Sequence, residues 1–353
     1  MRRITGRLAS SGAILLLMLA CNPEKQVGPG SQVRAFDAAE TPVATLVLHV
    51  VAPQTTDVAI DQALDDHYAW LDTTVQSNHT LLVFLPGTGQ RPAMFQLVQQ
   101  EAARLGYHVI GLMYVNGGGF ARNCPIAPDP ASCYEEGRLE VIDGIDRVPF
   151  LTVNQSNSID NRLTKLLEYL DAQYPSEGWA PFLVHGTPKW PLIAVAGHSQ
   201  GGGEAAMIGK IRLVARVVMF SSVTDSIGKE APPWVATHVT PLNRYWGIAH
   251  DRDAFYPSIR AAWDSIGLTA FGPPVTPETS QPPYSWTRML VTDVTPVGGF
   301  VGTNAHGSPS NDANTPLLAD GTPLLRDAWD YLLTGLPRRP GQGVEVSRWG
   351  APR

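Results

Sequence analysis

Apolar residues in this chain come in short, β-branched runs separated by stretches with three-to-four spacing, the pattern of strands alternating with helices. Residues 45–51, 79–85, 108–115, 192–197, 215–221, 244–249 and 288–292 read as strands, most of them almost wholly apolar and so buried on both faces. Residues 92–105 carry Met94, Leu97, Val98, Ala102 and Leu105 at helical spacing and stop at Gly106. Ser158 caps a second periodic stretch, Ile159, Leu163, Leu166, Leu167 and Leu170, which ends before Pro175. A third helix starts near Glu204, and residues 324–333 form a closing one. Strands and helices in alternation, with no internal repeat, predict an α/β fold: one doubly wound, mostly parallel twisted sheet with helices on both faces.

The ends of the chain break this pattern. Arg2, Arg3 and Arg7 precede an apolar core at residues 13–20 that is too short to span a bilayer, and Cys21 follows at once. Residues 1–20 are therefore expected to be a signal peptide, and the apolar-Ala-Cys ending resembles a bacterial lipobox with lipid attached to Cys21. Met18 departs from the usual Leu of that motif, so an ordinary secretory signal is the alternative. Asn22 leans towards the outer membrane. Residues 21–44, polar and interrupted by Gly and Pro, read as anchor and tether, residues 45–340 as the folded domain and residues 341–353 as a C-terminal tail.

Composition narrows the function classes. A hydrophobic content of 44% with 16% charged residues suits a large core, and a net charge of -6 gives no electrostatic ground for a nucleic-acid partner. Besides Cys21 there are two cysteines, Cys124 and Cys133, in a proline-punctuated insertion at residues 116–148. In an oxidising compartment they are expected to pair and stiffen a loop too irregular to stiffen itself; two unrelated thiols are the alternative. No cofactor is implied, because there is no His-Glu-x-x-His, phosphate loop or dinucleotide fingerprint, and two cysteines without a neighbouring His do not complete a metal site.

The chemistry gathers around Gly197-His198-Ser199-Gln200-Gly201-Gly202-Gly203. A Gly-x-Ser-x-Gly between an apolar strand and a helix is a nucleophile elbow, a tight turn that lifts the serine above the sheet. With 33 glycines in the chain the bare spacing says little, and the strand and helix around it carry the inference. A serine hydroxyl needs a base, and the base needs an orienting acid. In the order Ser, acid, His, the histidines that follow Ser199 are His238, His250 and His306. The acid candidates at strand ends are Asp225, Asp251 and Asp253, with Asp253 first because it stands a few residues past its strand and ahead of a helix-starting segment. For Asp251 or Asp253, His306 is the remaining base, in a Gly-rich stretch read as a flexible loop after the last strand. The oxyanion donors are expected to be the backbone N–H groups of Gln200 and, from Leu85-Pro86-Gly87-Thr88-Gly89, of Thr88.

On Leu85-Pro86-Gly87-Thr88-Gly89, Gly197-His198-Ser199-Gln200-Gly201-Gly202, Asp253 and His306, the chain from about residue 45 to 335 resembles the α/β-hydrolase superfamily. Its Cys124/Cys133 insertion and its Ser158-to-Leu163 segment are similar to a little-characterised branch of secreted bacterial members. The resemblance implies a serine hydrolase and no particular substrate; a lipase-type His-Gly-Gly-Gly segment is lacking, and the short, proline-containing stretch between Ser222 and Asn243 is expected to form a small cap. A carboxylic ester hydrolase acting on a small-molecule or lipid-like ester is the leading expectation. An acyltransferase or peptidase on the same triad is the alternative within enzymes, and a non-catalytic binding lipoprotein the alternative outside them. Trp234, Tyr245, Trp246, Tyr256, Tyr284 and Trp286 read either as a wall for an apolar group or as packing, and Arg138 with Glu140 as an ion pair on the site rim.

Overall fold

The computed structural model describes residues 46–336. Its strands are β1 (Leu46–Val51), β2 (His67–Asp72), β3 (Leu81–Leu85), β4 (His108–Gly111), the short hairpin β5 (Leu183–Val184) and β6 (Thr187–Pro188), β7 (Ile193–His198), β8 (Arg216–Phe220), β9 (Tyr245–His250) and β10 (Met289–Thr292). The helices are α1 (Pro53–Thr56), α2 (Gln96–Arg104), α3 (Phe120–Asn123), α4 (Pro130–Asp143), α5 (Ile159–Gln173), α6 (Gln200–Ile211), α7 (Tyr256–Ile266), α8 (Asn304–Gly307) and α9 (Arg326–Thr334).

Eight strands form one sheet in the order β1-β2-β4-β3-β7-β8-β9-β10. From β4 to β10 every pairing is parallel, while β2 runs antiparallel to both β1 and β4. The class is α/β, as the alternating pattern predicts. Side chains leave the two faces by turns: Leu81, Val83 and Leu85 of β3 enter one core cluster, and Leu82 and Phe84 the other. The first cluster is closed by apolar residues of α4, α5, α6 and α7, the second by those of α2 and α9. Parallel strands buried on both faces account for the nearly continuous apolar runs, and they put all their C-terminal ends on one edge, where loops are free to build a site.

The sequence pattern misses β2. Its residues His67 and Asp72 are polar, and Asp65 and Asp66 stand just before it, so the segment reads as loop, yet Ala69 and Trp70 are buried in it. His67 is kept neutral, its pKa pushed down to about 3 by burial, and its Nδ1 accepts the Met113 N–H at 2.9 Å. The insertion also differs from expectation: most of residues 120–143 are helical rather than irregular. Asp129 caps α4 by accepting the Ser132 N–H at 3.1 Å, Pro130 occupies its first turn, and Gly144 ends it in the left-handed conformation at φ 75°. Cys124 and Cys133 are disulfide-bonded, tying the start of α4 to the short turn before it. Ser158 caps α5 as predicted, accepting the Asn161 N–H at 3.1 Å.

Candidate active site

Ser199 stands between β7 and α6 with φ 53° and ψ -118°, a conformation that L residues with a side chain rarely adopt. Surrounding contacts hold it there. Its N–H donates to the Phe220 carbonyl at 2.9 Å, and its own carbonyl accepts the Ser222 hydroxyl at 2.8 Å and the Gly203 N–H at 3.1 Å. The flanking glycines are required by close approach. A Cβ on Gly197 would run into the Gly201 backbone, and one on Gly201 into the carbonyls of Leu85 and Pro86. Ser199 is half-buried at the N-terminus of α6, next to the positive end of that helix.

Asp253 and His306 come together beside this turn. His306 Nδ1 donates to Asp253 Oδ2 at 2.6 Å, and the carboxylate's other oxygen accepts the Phe255 N–H at 2.8 Å. That leaves His306 Nε2 with a free lone pair, the tautomer a general base needs. Both residues are buried, with relative exposures of 4% and 8%. His306 lies in the helical turn α8 rather than in a flexible loop, and its carbonyl is held by the Ser221 hydroxyl at 2.7 Å. The same carbonyl lies 3.0 Å from His198 Nε2, and the rings of His198 and His306 pack with centroids 4.7 Å apart. His306 is thus seated against the residue that precedes Ser199. Among the described residues no hydrogen bond joins the Ser199 hydroxyl to His306; such contacts often tighten only when a substrate is bound.

The other candidates go elsewhere. Asp225 is bound on both carboxylate oxygens by Arg138, at 2.7 and 2.6 Å. Asp251 lies at the surface, its side chain 46% exposed. His250 spends its Nε2–H on the Val294 carbonyl at 2.8 Å, and His238 packs on Tyr245 at the start of β9, the far end of the sheet from Ser199.

The loop after β3 faces the elbow. Tyr114 donates its hydroxyl to the Pro86 carbonyl at 2.8 Å, and Asn116 Nδ2 donates at 2.8 Å to the carbonyls of both Gly87 and Gln90. Gln90 Oε1 in turn accepts the Gly87 N–H at 3.1 Å and lies 2.9 Å from His198 Nδ1. Burial pushes the His198 imidazole down to about 3, so it is neutral and gives its one N–H either to Gln90 or to the His306 carbonyl. The Thr88 hydroxyl donates to Gln200 Oε1 at 2.8 Å, which fixes the two expected oxyanion residues against each other. Among the described residues neither the Thr88 nor the Gln200 backbone N–H has an acceptor, so both are available to a developing oxyanion.

One rim expectation is corrected, and four of the aromatics follow the packing alternative. Arg138 and Glu140 are not an ion pair and not on the rim: Glu140 is buried and accepts the N–H groups of Arg147, Val148 and Val153, while Arg138 points to α6. Trp234, Tyr245, Trp246 and Tyr284 are core residues, Tyr245 and Trp246 lying at the start of β9 away from the site. An aromatic that does lie at the site is Phe255, 39% exposed with its ring 5.1 Å from that of His306; its place directly after Asp253-Ala254 was the available signal.

The described residues hold no group of three or more His, Cys, Asp or Glu that could bind a metal ion, and no helix among them is long and apolar enough to cross a membrane. No family model matches the chain, and no curated protein matches it.

Proposed function

We propose that this chain is a serine hydrolase of the α/β-hydrolase type, acting on carboxylic esters through Ser199, His306 and Asp253. The observation that carries this reading is the buried Asp253–His306 hydrogen bond seated beside a backbone-strained serine at a strand-to-helix turn. The order Ser, Asp, His along the chain and the mostly parallel sheet with its one reversed strand near an edge support it. In this mechanism Ser199 Oγ attacks the ester carbonyl carbon as His306 Nε2 takes its proton. Asp253 stabilises the resulting imidazolium, and the Thr88 and Gln200 N–H groups receive the oxyanion. Collapse of the tetrahedral intermediate breaks the carbon–oxygen bond, and His306 returns its proton to the departing alcohol. Water then attacks the acyl-enzyme by the same route, releasing the carboxylic acid and restoring Ser199.

Incubation with a fluorophosphonate probe tests the assignment. Wild-type protein is expected to label and to hydrolyse p-nitrophenyl butyrate, and Ser199→Ala to do neither; equal labelling of the two would sink it. We also propose export and lipid attachment at Cys21, on the basis of Arg2, Arg3, Arg7 and the apolar core that follows, all of which lie outside the described residues. Metabolic labelling with an alkyne fatty acid should mark the wild type in bacterial membranes and not Cys21→Ser; label on both would remove this assignment.

A further inference from the structure

The catalytic assignment leaves one group of buried charges unused. The Arg138 side chain on α4 is 1% exposed. Besides its two bonds to Asp225, its Nη1 donates to Glu204 Oε1 at 3.0 Å and to the main-chain carbonyl of Gln200 at 3.1 Å. The rings of Phe120 and Trp234 lie 5.1 and 5.5 Å from the guanidinium carbon. Gly203 makes room for it, since a Cβ there would occupy the place of the guanidinium. The run of three glycines thus serves three different approaches: Gly201 to Leu85 and Pro86, Gly202 to Ser222, and Gly203 to Arg138.

Two consecutive peptide groups at the start of α6 are consequently held from outside the helix. Ser222 holds the Ser199 carbonyl, and Arg138 holds the Gln200 carbonyl. These are the peptide planes on either side of the Gln200 Cα, and fixing both fixes the direction of the Gln200 N–H. We propose that Arg138 is a positioning residue for the oxyanion site: anchored on Asp225, it holds the first turn of α6 so that the Gln200 N–H meets the carbonyl oxygen of a bound ester. This rests on the serine-hydrolase reading. Arg138 does not touch substrate; it acts through Gln200, and its effect falls on the transition state rather than on ester binding.

Glu204 completes the device. One guanidinium faces two buried carboxylates, and Asp225 takes it in the two-pronged geometry that best satisfies it. Burial pushes the Glu204 carboxyl up to about 8, so it is a neutral acid at pH 7. The groups facing it are Arg138 from α4, Asp225 beyond β8, Tyr114 beyond β4 and Gln200 on its own helix; burial also raises Tyr114, which stays an uncharged phenol. Once Glu204 ionises, it competes with Asp225 for Arg138 and draws the guanidinium off the Gln200 carbonyl.

Steady-state hydrolysis of p-nitrophenyl butyrate by the full chain tests this, with fluorophosphonate labelling run alongside. A wild type that neither labels nor turns over ends the hydrolase reading, and the role of Arg138 with it. With an active wild type, Arg138→Lys is expected to lower kcat about 10- to 100-fold and to leave KM within about threefold, less than the cost of deleting an oxyanion donor outright. Wild-type kcat should also fall between pH 7 and pH 9.5, and the ratio of kcat at these two pH values should approach one in Glu204→Gln, which cannot ionise. A folded Arg138→Lys with wild-type kcat overturns the proposal. Where Arg138→Lys does not fold, the profile of Glu204→Gln decides, and an alkaline fall equal to that of the wild type overturns it.

Discussion

Asp225 and Asp253 begin as near equivalents: each lies a few residues beyond the C-terminal end of one of two neighbouring strands, β8 and β9, and each is buried. What divides them is the partner that the rest of the chain brings up. The insertion delivers Arg138 to Asp225, and α8 delivers His306 to Asp253. A guanidinium keeps its proton at any working pH, so the Asp225 pair is static, whereas an imidazole gains and loses one and is useful in a reaction cycle. Strand-end position makes a carboxylate available for chemistry, and the partner decides whether it orients a base or anchors a scaffold.

The sharpest way to break this comparison is to neutralise each carboxylate. Asp253→Asn is expected to lower turnover of a short ester by about 10³- to 10⁴-fold while the protein stays folded, because the His306 ring loses its orienting acceptor. Asp225→Asn takes from the buried Arg138 its two-pronged carboxylate partner while Glu204 is a neutral acid; it should cost about 3–5 kcal/mol in urea denaturation and reduce turnover far less. If Asp225→Asn proves the more damaging to turnover, the acid is reassigned. A gentler probe acts on the Asp225 side alone. The Cys124–Cys133 bond spans a sequence separation of 9 residues, for which chain entropy predicts about 2–3 kcal/mol, so Cys124→Ala/Cys133→Ala should lower the unfolding free energy from urea denaturation by that amount.

The last probe is one of pH. In the folded protein Glu204 titrates near 8, above the ordinary glutamate value of about 4.3, so between these values the native state binds more protons than the unfolded chain. Stability from this group is therefore present at low pH and lost as pH rises towards 8. Glu204→Gln lacks that loss, and its Tm measured against the wild type should climb from pH 5 to pH 8; a constant difference would show that Glu204 does not titrate in this range.

Much of the frame is legible in the residues because it follows from local rules. Parallel strands buried on both faces must be apolar throughout, and the Gly197-to-Gly203 run needs the tight turn and close approaches found at Ser199. Ser158 announces α5 because a cap has a fixed offset from the N–H it accepts. What stays hidden depends on partners remote in sequence. β2 is a strand because β1 and β4 flank it, and its acidic surroundings mask this. α4 starts at Asp129-Pro130, a cap signal obscured by the prolines and cysteines around it. Arg138 and Glu140 are two residues apart on one helix and so point to different sides, Arg138 to α6 and Glu140 to the loop at Arg147 and Val148; spacing alone excludes a direct helical pairing. The buried Arg138 cluster joins positions 62 to 87 residues apart, which no local pattern encodes.

Gly201, Gly202 and Gly203 open a helix of 12 residues. Each glycine costs a helix about 1 kcal/mol relative to alanine, so α6 enters folding with a deficit of about 3 kcal/mol in its first turn. That turn has little helical tendency of its own and exists because Leu85, Ser222 and Arg138 close around it. On warming, its order depends on those neighbours staying in place, so ester hydrolysis should fade at a lower temperature than the one at which tryptophan fluorescence reports that the core has melted.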